Sequence, residues 1–262
     1  MVIRKTLKFA PLDSNGYIIN IASIRKVSSK WKKAVDYSIL LLTGLYSDDL
    51  DSVYLRGSVA TGDQNEHNSD LDLLVFLKRD KFEKDYEYFN SINKRVRSKY
   101  PFIERVDIIA DNRKCILDNL SYQVIIKTQS VCVYGTDVCS NLPHFTPNQA
   151  IFHVQRIKQD IVNFQNFFEE NPKDNELIKA KCKTIMKRIV RTGFELVVDQ
   201  SSKYTRDLYT CYFEFIKYYP DQRKDMHKAL MLSINPTNNV ETILGILNRL
   251  GNQIILEVDH IK

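Results

Sequence analysis

The chain is poor in the residues that interrupt or repeat structure. It has 8 glycines, 7 prolines and one tryptophan in 262 residues. This composition excludes a collagen-like repeat and a low-complexity, disordered protein. Long hydrophobic runs are also missing: the longest apolar stretch, residues 39–45, is far shorter than the ~20 residues that cross a bilayer as a helix. We therefore expect a globular protein with no membrane partner.

Cysteine is scarce and lacks a pattern. The chain has five cysteines, an odd number, with no Cys-x-x-Cys spacing. A disulfide framework and a structural zinc site both need paired cysteines or close Cys/His pairs. The N-terminus, Met-Val-Ile-Arg-Lys, precedes no apolar run of the kind found in a secretion signal. These features favour a reducing, cytoplasmic environment.

What the chain has is the balance of an ordinary globular protein, with 44% hydrophobic and 27% charged residues. Lysine and arginine number 38 and the acids 32, which gives a net charge of +6. A modest positive excess suits an anionic partner such as a nucleotide or a nucleic acid. It is also compatible with solubility alone, and the charge does not decide between the two.

Hydrophobic periodicity divides the chain near residue 145. Before it, short strand patterns alternate with helical ones, and Asn15-Gly16 marks a small hairpin between residues 6–9 and 17–21. A charged helix is predicted from Asp80 to about Lys99. After Pro147, helical patterns cover almost everything. We predict an α+β domain over residues 1–145 and an all-α helical domain over residues 146–262.

The most informative motif is Asp70-Leu71-Asp72, which opens the apolar run 71–77. Residues two apart on a strand point to the same side, so both carboxylates face one way while Leu71 and Leu73 face the other. Neighbouring carboxylates repel unless a cation lies between them. Mg²⁺ fits, because it takes carboxylate oxygens and bridges them to substrate phosphates.

Gly57-Ser58 follows a short strand and precedes the acids by eleven residues. Glycine lets the backbone approach a phosphate closely, and the amides after it can bind phosphate oxygens together with the serine hydroxyl. Gly57 and Ser58 are therefore candidate nucleotide-binding residues.

Asp107 is the candidate third acid, because it interrupts the apolar pattern of residues 106–109. If this strand lies beside the one that carries Asp72, the two acids are about 4.8 Å apart. Three carboxylates can hold two metal ions and activate a hydroxyl, with Asp107 as ligand and general base. The competitor, Asp111, is predicted to lie past the strand and to cap the next helix.

Together these residues resemble the signature of the DNA polymerase beta-like nucleotidyltransferase superfamily: a strand-end Gly-Ser, a gap of this length, an acid–apolar–acid triplet and a third strand acid. The order of a catalytic α+β domain followed by a helical domain is similar to that of small bacterial nucleotidyltransferases, including those that adenylylate aminoglycosides. The specific resemblance covers roughly residues 52–111. It implies a mixed β-sheet in the catalytic domain and Asp70, Asp72 and Asp107 as catalytic and metal-binding residues.

The resemblance implies a metal-dependent enzyme that moves a nucleoside monophosphate from a nucleoside triphosphate to an acceptor hydroxyl and releases pyrophosphate. ATP and AMP transfer are favoured, with two Mg²⁺ ions as cofactors and Mn²⁺ as an alternative. The acceptor is open between a small molecule and a tRNA or protein, as in toxin-like enzymes, and so is the oligomeric state. The other alternative is a catalytically silent nucleotide-binding or antitoxin-type protein of the same fold.

The helical half offers Arg188 and Arg191 as candidate nucleotide-binding residues, because guanidinium groups suit phosphate. The alternative is a solvated helix face on which Arg191 pairs with Glu195, four residues later. The stretch Tyr204-Thr205-Arg206-Asp207 is predicted to be a loop that contacts nucleotide or acceptor, or one in which Thr205 caps the next helix.

Overall fold

The structure, a computed structural model, describes residues 7–67, 69–79, 85–170 and 173–261. Its contacts divide these residues into two compact units. One unit comprises residues 12–145, and the other joins residues 7–11 to residues 146–261. Each unit has its own hydrophobic core, so each is described separately.

A four-stranded sheet organises the first unit. Its strands are β1 (Leu50–Arg56), β2 (Leu71–Leu77), β3 (Val106–Asn112) and β4 (Ser130–Gly135). The strand order is β3-β2-β1-β4. Strand β1 is antiparallel to β2 and to β4, whereas β2 and β3 are parallel. The sheet is therefore mixed, which confirms the α+β class.

In the described part of this unit, the helices around the sheet are α1 (Ser29–Tyr46), α2 (Gly57–Thr61), α3 (Asp85–Lys99), α4 (Cys115–Asp118) and α5 (Leu120–Gln129). Helices α1 and α3 pack with Leu71, Leu73 and Val75 on one face, and α5 packs with Leu74 and Phe76 on the other. Strand β2 is buried on both sides for this reason, as its nearly continuous apolar sequence indicates. The predicted start of α3 at Asp80 lies outside the described residues.

The second unit is helical. Its helices are α6 (Ile157–Glu169), α7 (Asn175–Glu195), α8 (Val198–Ser201), α9 (Leu208–Tyr218), α10 (Arg223–Ile234), α11 (Val240–Ile246) and α12 (Asn252–Ile261), with a π-helical turn at Leu247–Gly251. The apolar stripe of α7, which includes Ile178, Ile185 and Ile189, lies in the core of this unit. Within the described residues, no helix combines the length and the apolar character that a membrane crossing requires.

Two predicted elements differ from those observed. The helical pattern predicted after Pro147 becomes an α-helix only at Ile157, the start of α6, because the chain first forms a short 3₁₀ turn at Pro147–Ala150. Thr146 and Gln149 close that turn with a capping box. The predicted hairpin reduces to a single bridge between Leu12 and Ile18.

The segment before Leu12 pairs with the helical unit. The Ala10 N–H donates to the carbonyl of Tyr204 at 2.8 Å, and the Thr205 hydroxyl donates to the carbonyl of Lys8 at 2.6 Å. The sequence prediction assigned residues 7–11 to the first domain. Long-range backbone hydrogen bonds of this kind leave no periodic signal in the sequence, so periodicity did not reveal this pairing.

Gly135 closes β4 in a conformation that no other residue type adopts without strain. Its φ is +76°, and a Cβ atom at this position would overlap the carbonyl oxygen of Asp51. Gly16 has a similar φ of +80°, but a Cβ atom there would meet nothing within 4 Å. A comparison of alanine substitutions at the two glycines therefore distinguishes the cost of backbone strain from the cost of steric overlap.

We predict that Gly135→Ala lowers the free energy of unfolding by more than about 2 kcal/mol, because strain and overlap add. Gly16→Ala has only the strain, about 1 kcal/mol. Urea unfolding of both variants and the wild type measures the difference. Equal losses in the two variants would contradict the role assigned to the contact with Asp51.

Candidate active site

Three charged side chains lie in one row across the sheet. Asp72 on β2 is directly opposite Arg56 on β1 and directly opposite Asp107 on β3. Residues opposite each other in a sheet point to the same side, at about one strand spacing. The pairing of β2 with β3 therefore brings Asp72 and Asp107 together, as expected from the sequence if the two strands are neighbours.

Gly57 fixes the backbone beside this row. It has a φ of +74° and begins helix α2 directly after β1. A Cβ atom on Gly57 would overlap the Oδ2 atom of Asp72. Only glycine leaves room for the carboxylate at this turn, so the turn and the acid form one site.

Ser58 connects this turn to the loop that leads to the acids. Its hydroxyl donates to the Oγ atom of Ser69 at 3.1 Å, and the N–H of Asn65 donates to the same oxygen at 2.9 Å. The carbonyl of Ser58 accepts the N–H of Asp63 at 2.9 Å. These bonds fix the loop immediately before Asp70.

Arginine side chains balance the carboxylates. The Nη2 atom of Arg56 lies 3.3 Å from Oδ1 of Asp72 and 4.0 Å from Oδ2 of Asp107. The Nη2 atom of Arg105 lies 3.4 Å from Oδ1 of Asp107. Opposite charges at these distances offset the repulsion between the two acids.

Sequence reasoning missed both arginines. Arg56 is the last residue of a buried strand and directly precedes Gly57, and this unusual place for a cation was the available signal. Arg105 lies two residues before Asp107, a spacing that puts both on one side of an extended chain.

Asp70 lies two residues before Asp72, at the entrance to β2. In the described part of the chain, no three Asp, Glu, His or Cys side chains lie close enough together to hold a metal ion. Asp72 and Asp107 still fit Mg²⁺, which takes one or two carboxylates and completes its shell with water and substrate phosphates. Metal binding by Asp70, Asp72 and Asp107 together stays a prediction.

Asp111 does not cap a helix, contrary to the sequence prediction. Strand β3 extends to Asn112, and Asp111 lies within it, opposite Phe76 on β2. Its Oδ2 atom accepts the hydroxyl of Tyr122 at 2.9 Å. Four residues of strand separate Asp111 from Asp107, or about 13 Å.

In the helical unit, Arg188 has an acidic partner. Its Nη1 atom lies 2.6 Å from Oδ1 of Asp160 on α6, and its guanidinium lies 5.7 Å from the ring of Phe164. Arg188 thus forms part of the packing between α6 and α7.

A positive region surrounds His153. Burial lowers the pKa of His153 well below its usual value, and the charges of Arg206, Arg191, Arg188 and Arg156 lower it further. Burial is the larger cause, and the four arginine charges act in the same direction. Arg188 and Arg191 therefore belong to a basic cluster of the helical unit.

Glu195 is the buried acid of this cluster and not part of a solvated face, so the alternative interpretation of α7 was wrong at this residue. Its carboxylate accepts the N–H of Val154 at 2.9 Å. Burial raises its pKa to about 7, although the N–H groups of Val154, Phe152 and His153 and the charge of Arg206 act in the opposite direction. Sequence spacing gave no sign of this burial.

The loop before α9 also differs from its prediction. Asp207, rather than Thr205, caps the helix, because its Oδ1 atom accepts the N–H of Thr210 at 2.9 Å. The Thr205 hydroxyl instead donates to the N-terminal segment at Lys8. The guanidinium of Arg206 lies 4.9 Å from the ring of Phe152.

Comparison with known proteins gives two findings. Residues 43–163 match the family model described as "Nucleotidyltransferase domain". A structural similarity links the chain to the crystal structure of spectinomycin adenyltransferase AAD(9) from Enterococcus faecialis with ATP and spectinomycin, at 15% sequence identity and a TM-score of 0.44, over 84% of this chain and 99% of that one. No curated protein matches the chain.

Glu195 generates a prediction on pH dependence. An acid whose pKa rises from 4.5 to about 7 on folding binds its proton more tightly in the folded state. Stability is therefore highest below about pH 4.5, falls as the pH rises to 7 and is level above it. The total loss from this one group is roughly 3 kcal/mol.

Glu195→Gln removes this titration. Chemical unfolding of wild type and variant at pH 5 and pH 7.5 is expected to show the variant gaining roughly 2–3 kcal/mol relative to wild type at the higher pH. Glu176→Gln, at an exposed position of the same helix, is the matched control and is expected to show no such gain. The same relative stability of Glu195→Gln at both pH values would contradict the burial of a titrating carboxyl.

Proposed function

We propose that the chain transfers AMP from ATP to an acceptor hydroxyl with release of pyrophosphate, using Mg²⁺, because residues 43–163 match the nucleotidyltransferase family model. The enzyme class and the transfer of a nucleoside monophosphate in general follow from the domain. The choice of ATP, the metal, the residue roles and the acceptor are the proposal.

One observation carries the residue roles: Asp72 and Asp107 lie opposite each other on paired strands, with the Gly57 backbone against the Asp72 carboxylate. Two acids beside a Gly-Ser turn provide oxygen ligands and phosphate-binding amides at one edge of the sheet. This arrangement suits a triphosphate held next to carboxylates.

In the proposed reaction, Asp70 and Asp72 are metal ligands, and Asp107 completes the site and accepts the proton of the acceptor hydroxyl. The hydroxyl oxygen then bonds to the α-phosphorus, and the bond to the bridging oxygen of pyrophosphate breaks. When bound, Mg²⁺, as one or two ions, would supply charge neutralisation on the phosphates, and Mn²⁺ has similar chemistry.

Gly57 and Ser58 are proposed to bind the phosphates through backbone amides and the serine hydroxyl. Arg188 and Arg191 of the helical unit are proposed as further nucleotide-binding residues, through their positive charge. The basic cluster around His153 supports this assignment, because four arginines in one region favour an anionic ligand. Arg188 would bind the nucleotide with a positive charge that its ion pair with Asp160 partly offsets.

The acceptor is proposed only as a hydroxyl-bearing molecule, a small molecule or a tRNA or protein. Incubation of the protein with a cell lysate and α-³²P-ATP separates these classes by the size of the labelled product.

The five described cysteines are free, and the cytoplasm is the proposed location.

Asp72→Asn is expected to lower the rate of transfer by at least about a hundredfold, because a metal ligand and its charge are lost. Pyrophosphate release measures the rate, and circular dichroism checks the fold. Asp111→Asn is the matched control: it changes an acid of the neighbouring strand outside the site and is expected to keep a rate close to wild type. Wild-type turnover in Asp72→Asn would overturn the mechanism.

Arg191→Gln is expected to raise the Kd for ATP by about tenfold, the effect of a lost charge-assisted hydrogen bond to phosphate. Isothermal titration calorimetry measures the affinity. Lys179→Gln removes a positive charge from an exposed position of the same helix and serves as control. If both variants bind ATP as the wild type does, Arg191 has no part in nucleotide binding.

A further inference from the structure

We propose that Arg56 is a built-in counter-cation of the active site, which competes with a divalent metal ion for Asp72 and Asp107 and has to leave Asp72 when the metal binds. This inference deepens the proposed function, because it rests on metal binding by these acids. It makes Arg56 a positioning residue that links metal binding to the arrival of the nucleotide.

The position of Arg56 carries the argument. It is the last residue of β1 and lies directly opposite Asp72 in the antiparallel pair. One guanidinium nitrogen, Nη2, is within 4.0 Å of both Asp72 and Asp107. A single cationic group thus lies between two acids on adjacent strands, which is the place that a divalent ion would take.

Burial strengthens the ion pair between Arg56 and Asp72. The side chains of Arg56 and Asp72 are only 19% and 21% exposed. Solvent screens a charge pair weakly at such a position, so the contact affects the two acids more than a surface salt bridge would. Withdrawing Arg56 would remove the cation that lies between the two carboxylates and leave the more exposed Arg105 beside Asp107, which favours a second cation in its place.

The guanidinium is not fully satisfied in this position. Its Nε atom is buried, and none of the described residues accepts a hydrogen bond from it. A buried donor without an acceptor is unfavourable. Arg56 is therefore held by its charge rather than by a complete set of hydrogen bonds, as suits a group that another cation displaces.

Arg105 is a natural contrast. Its side chain is 46% exposed, and among the described residues it forms its ion pair with Asp107, at 3.4 Å. It precedes β3, whereas Arg56 occupies the same cross-strand row as both acids. Arg105 carries the same charge near the same site, so it reports how much of any effect comes from charge alone.

The chemistry follows from the oxygen atoms available. A carboxylate oxygen that coordinates a divalent ion has its negative charge engaged there, and a guanidinium that remained in contact would be repelled by the ion. A bound triphosphate offers the displaced guanidinium a new anionic partner. We expect weak metal binding without nucleotide and tighter binding with it.

The test uses Mn²⁺ as the probe, with free Mn²⁺ measured by electron paramagnetic resonance in the absence of nucleotide. Arg56→Gln is expected to bind Mn²⁺ at least tenfold more tightly than wild type. Arg105→Gln is expected to change the affinity by less than about threefold, since it leaves Arg56 in place. Unchanged affinity in Arg56→Gln, or an equal gain in both variants, would overturn the proposal.

A second measurement uses the wild-type chain, so it does not depend on the stability of a variant. The ¹⁵N signal of the Arg56 Nε group, assigned by its loss in Arg56→Lys, is followed as Mg²⁺ is added. A shift with the same midpoint as metal binding is expected. An unmoved signal at saturating Mg²⁺ would show that Arg56 keeps its place, which contradicts the displacement.

These results are independent of the transfer reaction. Tighter Mn²⁺ binding by Arg56→Gln without any nucleotidyl transfer by the wild type would support the competition and reject the proposed function. Transfer by the wild type with unchanged Mn²⁺ binding in Arg56→Gln would do the reverse.

Discussion

The candidate site depends on the parallel pairing of β2 and β3, which places Asp72 directly beside Asp107. Two neighbouring carboxylates are unfavourable alone, so this pairing requires cations near it. Arg56 and Arg105 supply them within the chain. The Gly57 turn then fits only because it lacks a side chain next to Asp72. The place of the Asp72 carboxylate therefore depends on the strand pairing, on the Gly57 turn and on the neighbouring arginines together.

In the helical unit, the concentrated charge is positive instead of negative. Four arginines lie near His153, which is kept neutral by burial and by their charges. Glu195 and Asp160 are buried acids near them, and burial raises the pKa of Glu195 although Arg206 and three backbone N–H groups act in the opposite direction. The concentrated positive charge of this unit favours an anionic ligand.

The sequence was sufficient for the strand before Gly57-Ser58, for β2 and for the strand of Asp107, because these rest on local alternation and short spacing. The adjacency of Asp107 and Asp72 was also predictable once their strands were taken as neighbours. The ion pairs of Arg56 depend on cross-strand register, and the burial of Glu195 depends on packing between helices; no short spacing encodes either. The spacing of Arg105 and Asp107 was a usable signal that the sequence reasoning did not use. The Thr205 cap and the start of α6 failed because Asp207 and a 3₁₀ turn satisfied the backbone instead.

The central claim is that this site transfers the nucleoside monophosphate, with its α-phosphate, from a nucleoside triphosphate to an acceptor. The most direct measurement compares α-³²P-ATP with γ-³²P-ATP in parallel reactions with a cell lysate as the source of acceptor. The account predicts that the α label appears on the acceptor and the γ label appears in pyrophosphate. A γ label on the acceptor, or no label from either substrate, would contradict it.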